Sequence, residues 1–298
     1  MIDSQQDERD KIIAPEILKN QFSTDEHLNL RLGIHDRYSV PHVNFPEWVL
    51  RRVLWERCER VLDVGTGSGK YYGAVKALAP NANYVALDAF EGMLARHPAQ
   101  KHLVNGNVFA LPFTNASFDL VMANHMLYLL SDIDAAIREI RRVLKPGGVL
   151  VTATNSNQTM PEFTALFRRA VMLLTTPGSP YTASPGSVPH AYSLENAPLI
   201  LRRHFYAAVR HDLPQALVFD HAEPALAYLE SLRSMREPLL PPDVRWEDVM
   251  LIMREQIDRV IGHFGELVVN KISGVVIASD SGGFIQGYVE RKALKRKA

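Results

Sequence analysis

The chain has almost no cysteine: Cys58 is the only one in 298 residues. A single thiol can neither close an internal disulfide nor assemble a cysteine metal cluster, and it fits a reducing compartment. Net charge is also missing, with Lys plus Arg at 33 and Asp plus Glu at 33. No overall field therefore draws the chain to a polyanion, and readings based on nucleic acid or an anionic membrane surface lose their main support. No apolar run approaches the ~20 residues that a bilayer-spanning helix needs. The first residues, MIDSQQDERDK, are polar and acidic where a secretory leader would be basic and then apolar. These absences predict a soluble cytoplasmic protein with no nucleic-acid or membrane partner. Its length suits one large domain or a domain with an attached lid. The basic run Arg291–Lys297 reads as a solvated chain end.

What is present is an alternation of strand and helix signals. Residues 1 to about 20 are polar and are expected to be mobile at the start, and Phe45–Arg60 carries Trp48, Val49, Val53 and Leu54 near helical spacing. Strands are predicted at Arg60–Val64, Tyr84–Asp88, His102–Asn105, Phe118–Ala123 and Val149–Ala153. Helices are predicted at Lys70–Leu78, Glu91–Arg96 and Asp132–Leu144, the last closed by Lys145-Pro-Gly-Gly148. Helices of this length between strands imply a parallel sheet covered on both faces. After Ala153 the rhythm changes. A helix over Pro161–Leu174 runs into the Pro/Gly/Ser-rich stretch TTPGSPYTASPGSVPH, whose length suits a functional or mobile loop. Ala216–Phe219 reads as a strand and Asp243–Phe264 as a long helix. Leu267–Val269 and Gly274–Ala278 read as a hairpin or one broken strand.

The densest chemical signal is DVGTGSGK at Asp63–Lys70. Glycines 65, 67 and 69 between a strand and a helix let backbone amides approach a ligand closely. A phosphate-binding Walker loop needs G-x-x-x-x-G-K-[ST]; here one residue too few separates Gly65 from Gly69-Lys70, and Tyr71 replaces the magnesium-binding Ser or Thr. The dinucleotide fingerprint G-x-G-x-x-G also fails, because Lys70 stands where its third glycine belongs. Lys70 is therefore expected to face solvent. Asp88 ends the next strand, 19 residues beyond Gly69. It can accept both hydroxyls of a ribose or cap the following helix, and the glycine loop at the right distance favours the ribose role.

Four ordered segments carry a family resemblance: VLDVGTGSG at 61–69, YVALDAFEGML at 84–94, GNVFALPFTNASFDLVMANHMLYLL at 106–130 and REIRRVLKPGGVLV at 138–151. Together they resemble class I S-adenosylmethionine-dependent methyltransferases of the bacterial ubiquinone-biosynthesis type, over about a third of the chain. The resemblance implies an α/β fold: a Rossmann-like, doubly wound, mostly parallel seven-stranded sheet with helices on both faces. It further implies an N-terminal lid over 1–58, a cofactor-binding core over 59–156, and a C-terminal part over 157–298 that completes the sheet and inserts a helical cap. It implies that Asp63, Gly65, Gly67 and Gly69 line the methionine end of the cofactor S-adenosyl-L-methionine, that Asp88 binds the ribose, and that Ala89, Met93 and Val108 lie at the adenine. Asn107 stands where the family usually has Asp; its amide oxygen can still accept from the adenine amine without charge-assisted strength. The resemblance also implies that Asn124 and His125, at the end of the fourth strand, lie beside the position to which the sulfonium methyl points.

On the acceptor side, His125 has the proton affinity of a general base, though lining the pocket would equally explain it. Tyr128 reads as a wall or an acid. In the stretch GIHDRYSVPH at 33–42, Tyr38 is the lid candidate, and the two His with an Asp are too loosely spaced to argue for a metal. Phe163, Phe167, Tyr181, Trp246, Met250 and Met253 can supply an apolar pocket or ordinary core. The expected reaction is methyl transfer to the oxygen, nitrogen or carbon of a small molecule, with release of S-adenosylhomocysteine. The alternatives are a cofactor-binding regulatory module without transfer and an RNA or protein methyltransferase, with a nicotinamide dehydrogenase last. Oligomeric state, a homodimer included, is left open by the sequence.

Overall fold

The computed structural model describes residues 9–55, 58–175 and 191–281. In chain order they form α1 (Pro15–Phe22), α2 (Glu26–Tyr38), β1 (Ser39–Val40), α3 (Phe45–Leu50), β2 (Arg60–Val64), α4 (Tyr72–Leu78), β3 (Asn83–Asp88), α5 (Glu91–Leu94), β4 (Leu103–Asn105), β5 (Phe118–Met122), α6 (Ile133–Val143), β6 (Leu144–Asn155), α7 (Pro161–Leu174), α8 (Ala197–Arg202), β7 (Ala207–Phe219), α9 (Ala222–Glu230), α10 (Arg233–Arg236), α11 (Trp246–Phe264) and β8 (Leu267–Ser279). The strands make one sheet in the order β1-β7-β8-β6-β5-β2-β3-β4. β2 pairs parallel with β3 and β5, β3 with β4, and β5 with β6, whereas β1 runs antiparallel to β7.

That order contains a switch point. From β2 the chain proceeds outward to β3 and β4, then returns to place β5 and β6 on the other side of β2. In open parallel sheets the crevice beyond the carboxyl ends of such strands is where ligands sit. The central strands explain themselves from sequence. Val61, Leu62, Leu120, Val121 and Ala86 are fully or almost fully buried, as a strand covered on both faces requires. α6 buries Ala136, Ile137, Ile140 and Val143 while Arg138 and Arg141 stay exposed, the i, i+3, i+4, i+7 stripe of an amphipathic helix. Its start is set by Asp132, whose Oδ1 accepts from the Ala135 N–H at 2.8 Å.

The described residues divide into two compact units. The first draws on 45–155, 191–212 and 274–281, the second on 9–44, 156–175 and 213–273. In the first, Val49, Leu50, Val61, Val75, Leu120, Met122, Val151 and Ile277 share one core. In the second, Phe163 and Phe167 of α7 pack with Trp246, Val249, Met253 and Ile257 of α11, so four of the candidate pocket residues are buried core, and Met250 is partly buried against it. Gly265, at φ 85°, ends α11 with the left-handed cap glycine favours.

Several expectations are corrected. The sheet has eight strands, because Ser39–Val40 adds a two-residue edge beside Ala216 and Leu217; so short a segment leaves no alternation to read. The helix expected over Phe45–Arg60 stops at Leu50, where the Trp55 Nε1–H turns back to donate to the Leu50 carbonyl at 2.9 Å. Lys145-Pro-Gly-Gly148 is no turn between elements: β6 begins at Leu144 and bulges through it, with Phe118 opposite Leu144 and Leu120 already opposite Val149. Gly147 at φ 76° supplies the kink. Strand β7 begins at Ala207 rather than Ala216, β8 is continuous from Leu267 to Ser279, and Pro15–Phe22 is helical. Tyr181, most of the Pro/Gly/Ser-rich loop and the basic tail lie outside the described residues. Among the described residues no helix is long and apolar enough to cross a membrane.

Replacing Asp132 by Ala removes the cap of α6 and is expected to lower stability by about 1 kcal/mol. Urea denaturation should show a lower midpoint with an unchanged slope; an unmoved midpoint would contradict the capping role.

Candidate functional site

The site is built at the carboxyl ends of β2, β3, β4 and β5, all in the first unit. Where β2 ends, the chain must reverse into α4 within a few residues. It does so with three glycines at positive φ, 65° at Gly65, 57° at Gly67 and 82° at Gly69, a region that L side chains rarely adopt. Space demands glycine as well. A Cβ on Gly65 would stand 2.9 Å from Cβ and Cγ of Met126, and one on Gly69 2.6 Å from His97 Nε2 and Pro98 Cδ. The loop is tied to β3 by the Gly65 and Thr66 N–H groups, which donate to the Leu87 carbonyl at 2.8 and 3.1 Å.

Asp88, buried at the end of β3, faces this loop. Its Oδ2 accepts from the Gly67 N–H at 2.9 Å and its Oδ1 from the Phe90 N–H at 3.0 Å. The two roles read from the sequence, ribose acceptor and cap, thus sit on one carboxylate. Burial holds its pKa above the ordinary carboxylate value, and the backbone hydrogen bonds pull it back.

Asp63 sits deeper. Its Oδ2 accepts from Tyr84 Oη at 2.7 Å and from Thr66 Oγ1 at 3.0 Å. Thr66 Oγ1 in turn lies 2.9 Å from His97 Nε2, and His97 Nδ1 accepts from the Ala99 N–H at 3.1 Å. Because Nδ1 is an acceptor, the ring proton belongs on Nε2, which donates to Thr66. Burial pushes the Asp63 carboxyl up to about 7, opposed by the Tyr84 and Thr66 hydrogen bonds and reinforced by Asp88. Burial also lowers the His97 pKa, which favours the neutral ring this chain of hydrogen bonds requires.

The remaining candidates take up the following places. Met93 and Val108 are buried and Ala89 is exposed. Asn107 is exposed, and its Oδ1 accepts from the Phe109 N–H at 3.0 Å, closing a local turn with the oxygen that the adenine amine would need. Asn124 is buried; its Oδ1 accepts from the Ala153 N–H at 2.8 Å, and its Nδ2 has no partner. His125, at φ 54°, donates its backbone N–H to the Ala153 carbonyl at 2.8 Å and sets its ring 5.6 Å from that of Phe45. Tyr128 lies partly buried in the 3-10 turn Leu127–Leu129. Tyr38 belongs to the second unit, where its ring stands 5.1 Å from Phe219 and 6.4 Å from His221. Lys70 is partly buried rather than turned fully to solvent. Thr66, Tyr84, His97 and Met126 went unread in the sequence. Tyr84 alone carried a signal, since it shares a strand face with Asp88 and a buried phenol needs a partner.

A parallel sheet whose switch point holds a glycine turn, with a buried carboxylate on the next strand and no Walker lysine arrangement, defines a nucleoside-binding α/β domain. Two buried polar atoms of the first unit also lack a partner, Tyr71 Oη on the residue that leads into α4 and Asn124 Nδ2 just beyond β5. Comparison with known proteins narrows the class. Residues 62–152 match the family described as "Methyltransferase domain". The chain is 37% identical over 115 residues to a malonyl-[acyl-carrier protein] O-methyltransferase of Methylococcus capsulatus, covering 37% of this chain and 42% of that protein. It is 35% identical over 116 residues to a demethylmenaquinone methyltransferase of Staphylococcus haemolyticus, covering 37% and 48%. The matched region is thus less than half the length of either relative. The structure of phosphoethanolamine N-methyltransferase 2 from Haemonchus contortus, in complex with phosphomonomethylethanolamine and S-adenosylhomocysteine, shares the fold with a TM-score of 0.52 at 16% identity, over 88% of this chain and 59% of that one. Residues 62–152 thus match a methyltransferase domain and are similar to those of S-adenosylmethionine-dependent enzymes of class I.

The raised Asp63 pKa has a consequence for stability. A carboxyl that titrates near 3.8 in the unfolded chain and about 7 in the fold contributes stability that is complete below the lower value and is lost as pH rises through the upper one. Wild-type stability is therefore expected to fall between about pH 4 and 7 relative to Asp63→Asn, by at most ~1.4 kcal/mol per pH unit. Denaturation midpoints of both proteins across that window check this, and parallel curves would refute it.

Proposed function

We propose that the protein transfers a methyl group from S-adenosyl-L-methionine to an oxygen, nitrogen or carbon nucleophile of a small molecule, in the cytoplasm, leaving S-adenosylhomocysteine. The observation that carries this reading is Asp88, a carboxylate fixed at the end of β3 and bonded across the crevice to the Gly67 N–H at 2.9 Å. That is where a ribose can be gripped through two hydroxyls. The lack of side chains at Gly65, Gly67 and Gly69 lets the backbone come close to the amino-acid end of the cofactor, with Asp63 behind it as a counter-charge for an ammonium. The unsatisfied Tyr71 hydroxyl and Asn124 amide are donors for a carboxylate. Met93 and Val108 supply buried apolar surface suited to an adenine, and Ala89 and Asn107 lie on the two segments that would border it.

When bound, the cofactor supplies a methyl group already activated by its positive sulfur. The chain's own task is then alignment of the acceptor and exclusion of water. His125 can take a proton from an acceptor hydroxyl or amine, with Tyr128 on the next turn as a further acceptor-side group. The relatives' names give acceptors as different as malonyl-[acyl-carrier protein] and demethylmenaquinone, so the shared domain supports the reaction class and leaves the acceptor to the remainder of the chain. A second reading, cofactor binding without transfer, draws on Asn107, whose amide oxygen is engaged by Phe109.

Calorimetric titration is expected to show binding of S-adenosylmethionine and S-adenosylhomocysteine by the wild-type chain. Asp88→Ala should weaken both by roughly 100-fold or more, since two hydrogen bonds to a charged acceptor are lost. No binding by the wild type would refute the proposal. Transfer of labelled methyl into a metabolite extract separates the enzyme from the non-transferring module.

A further inference from the structure

His97 has no place among the ligand-facing groups, yet it is built into the glycine turn. Its side chain is almost completely buried. The ring stacks near-parallel on that of Tyr84 at 6.1 Å and stands edge-on to that of Tyr72 at 6.0 Å. On a third side it meets the turn itself, because a Cβ on Gly69 would stand 2.6 Å from Nε2 and 2.8 Å from Cδ2. Packing of this kind fixes the ring, so each of its nitrogens has a set partner.

The Ala99 N–H donates to Nδ1 at 3.1 Å, which puts the proton of the neutral imidazole on Nε2, 2.9 Å from Thr66 Oγ1. A hydroxyl has a single proton, and that of Thr66 is surrounded by His97 Nε2 at 2.9 Å, Asp63 Oδ2 at 3.0 Å and Tyr84 Oη at 3.2 Å. Donation from His97 removes the imidazole as a competing acceptor. Tyr84 sends its own proton to Asp63 Oδ2 at 2.7 Å, and of the two acceptors left to Thr66 the carboxylate is the stronger. The donors therefore run one way, from the Ala99 N–H through His97 and Thr66 to Asp63, and in such a chain each bond polarises the next. Burial disfavours the ionised Asp63 carboxyl, and the Tyr84 and Thr66 bonds oppose it. Both bonds end on Oδ2.

We propose that His97 is a positioning residue for the amino-acid end of the cofactor: it orients the Thr66 hydroxyl onto Asp63 Oδ2, and so leaves Oδ1 of that carboxylate to meet the cofactor's ammonium. This rests on cofactor binding at the glycine turn. The effect is confined to one end of the ligand, because Asp88, the ribose acceptor, is held by a separate set of bonds from the Gly67 and Phe90 N–H groups.

Calorimetric titration of the full chain with S-adenosylhomocysteine and with methylthioadenosine tests it, since the second ligand keeps the adenosine and lacks the amino-acid end. His97→Leu and Thr66→Val are each expected to weaken S-adenosylhomocysteine about tenfold and to leave methylthioadenosine within about twofold of wild type. His97→Gln, whose side-chain amide can donate to Thr66 from the place of Nε2, should bind both ligands nearly as the wild type does. The double variant His97→Leu with Thr66→Val should be no weaker than either single one, because both remove the same bond. A purely structural role would weaken both ligands together, and that outcome overturns the proposal. Unchanged S-adenosylhomocysteine binding in His97→Leu, a His97→Gln chain as weak as His97→Leu, or additive losses in the double variant overturn it as well. If His97→Leu does not fold, the contrast between Thr66→Val and His97→Gln decides: selective loss of S-adenosylhomocysteine in the first alone supports the proposal, and any other result overturns it. A wild-type chain that binds neither ligand refutes cofactor binding itself, whereas one that binds both equally tightly refutes only the part given to Asp63 and His97.

Discussion

The candidate site depends on one backbone constraint, the reversal of the chain between β2 and α4. Gly65, Gly67 and Gly69 hold left-handed conformations, and neighbours fill the space a side chain would need, Met126 on one side and His97 with Pro98 on the other. The reversal exposes the Gly67 N–H to Asp88 and ties the first residues of the turn to Leu87. The ends of β2 and β3 thereby become one rigid platform, and the crevice of the sheet gains its polar groups at the ends of these strands. Catalysis by alignment requires such a preorganised frame.

Behind the platform, Asp63 is the residue on which the turn is anchored. Two hydroxyls and, through Thr66, a neutral imidazole converge on it. A buried carboxylate surrounded by donors is costly to ionise and costly to leave without partners. The same low polarity that raises its pKa strengthens its attraction to any cation that enters. The stability lost by burying it is of the kind that binding sites commonly carry and recover when ligand binds.

Much of this was legible along the chain. The strands β2, β3 and β5 were readable because they are short apolar runs bounded by turn residues, and α6 and α7 because their apolar stripes are regular and their starts are marked by Asp132 and Pro161. The four motifs with their spacing indicated the domain class. Local pattern failed where a distant partner decides. A two-residue edge at Ser39–Val40 exists only because β7 offers it hydrogen bonds. Lys145-Pro-Gly-Gly148 has every mark of a turn, yet pairing of Leu144 with Phe118 keeps it inside β6. Asp63 was read as lining a ligand, and its hydrogen bonds to Tyr84 and Thr66 appear only once β2 and β3 lie side by side.

The sequence by itself determined the class of sheet, the glycine turn and the carboxylate opposite it, because these follow from residue type and from spacings of a few positions to about twenty. Only the tertiary structure decided which side chains meet. It brought His97 to Thr66, left Asn124 Nδ2 without a partner just beyond β5, and packed Tyr38 against Phe219. Such contacts join residues far apart in the chain, and their energies depend on burial and mutual distance, which no local pattern of residue types encodes.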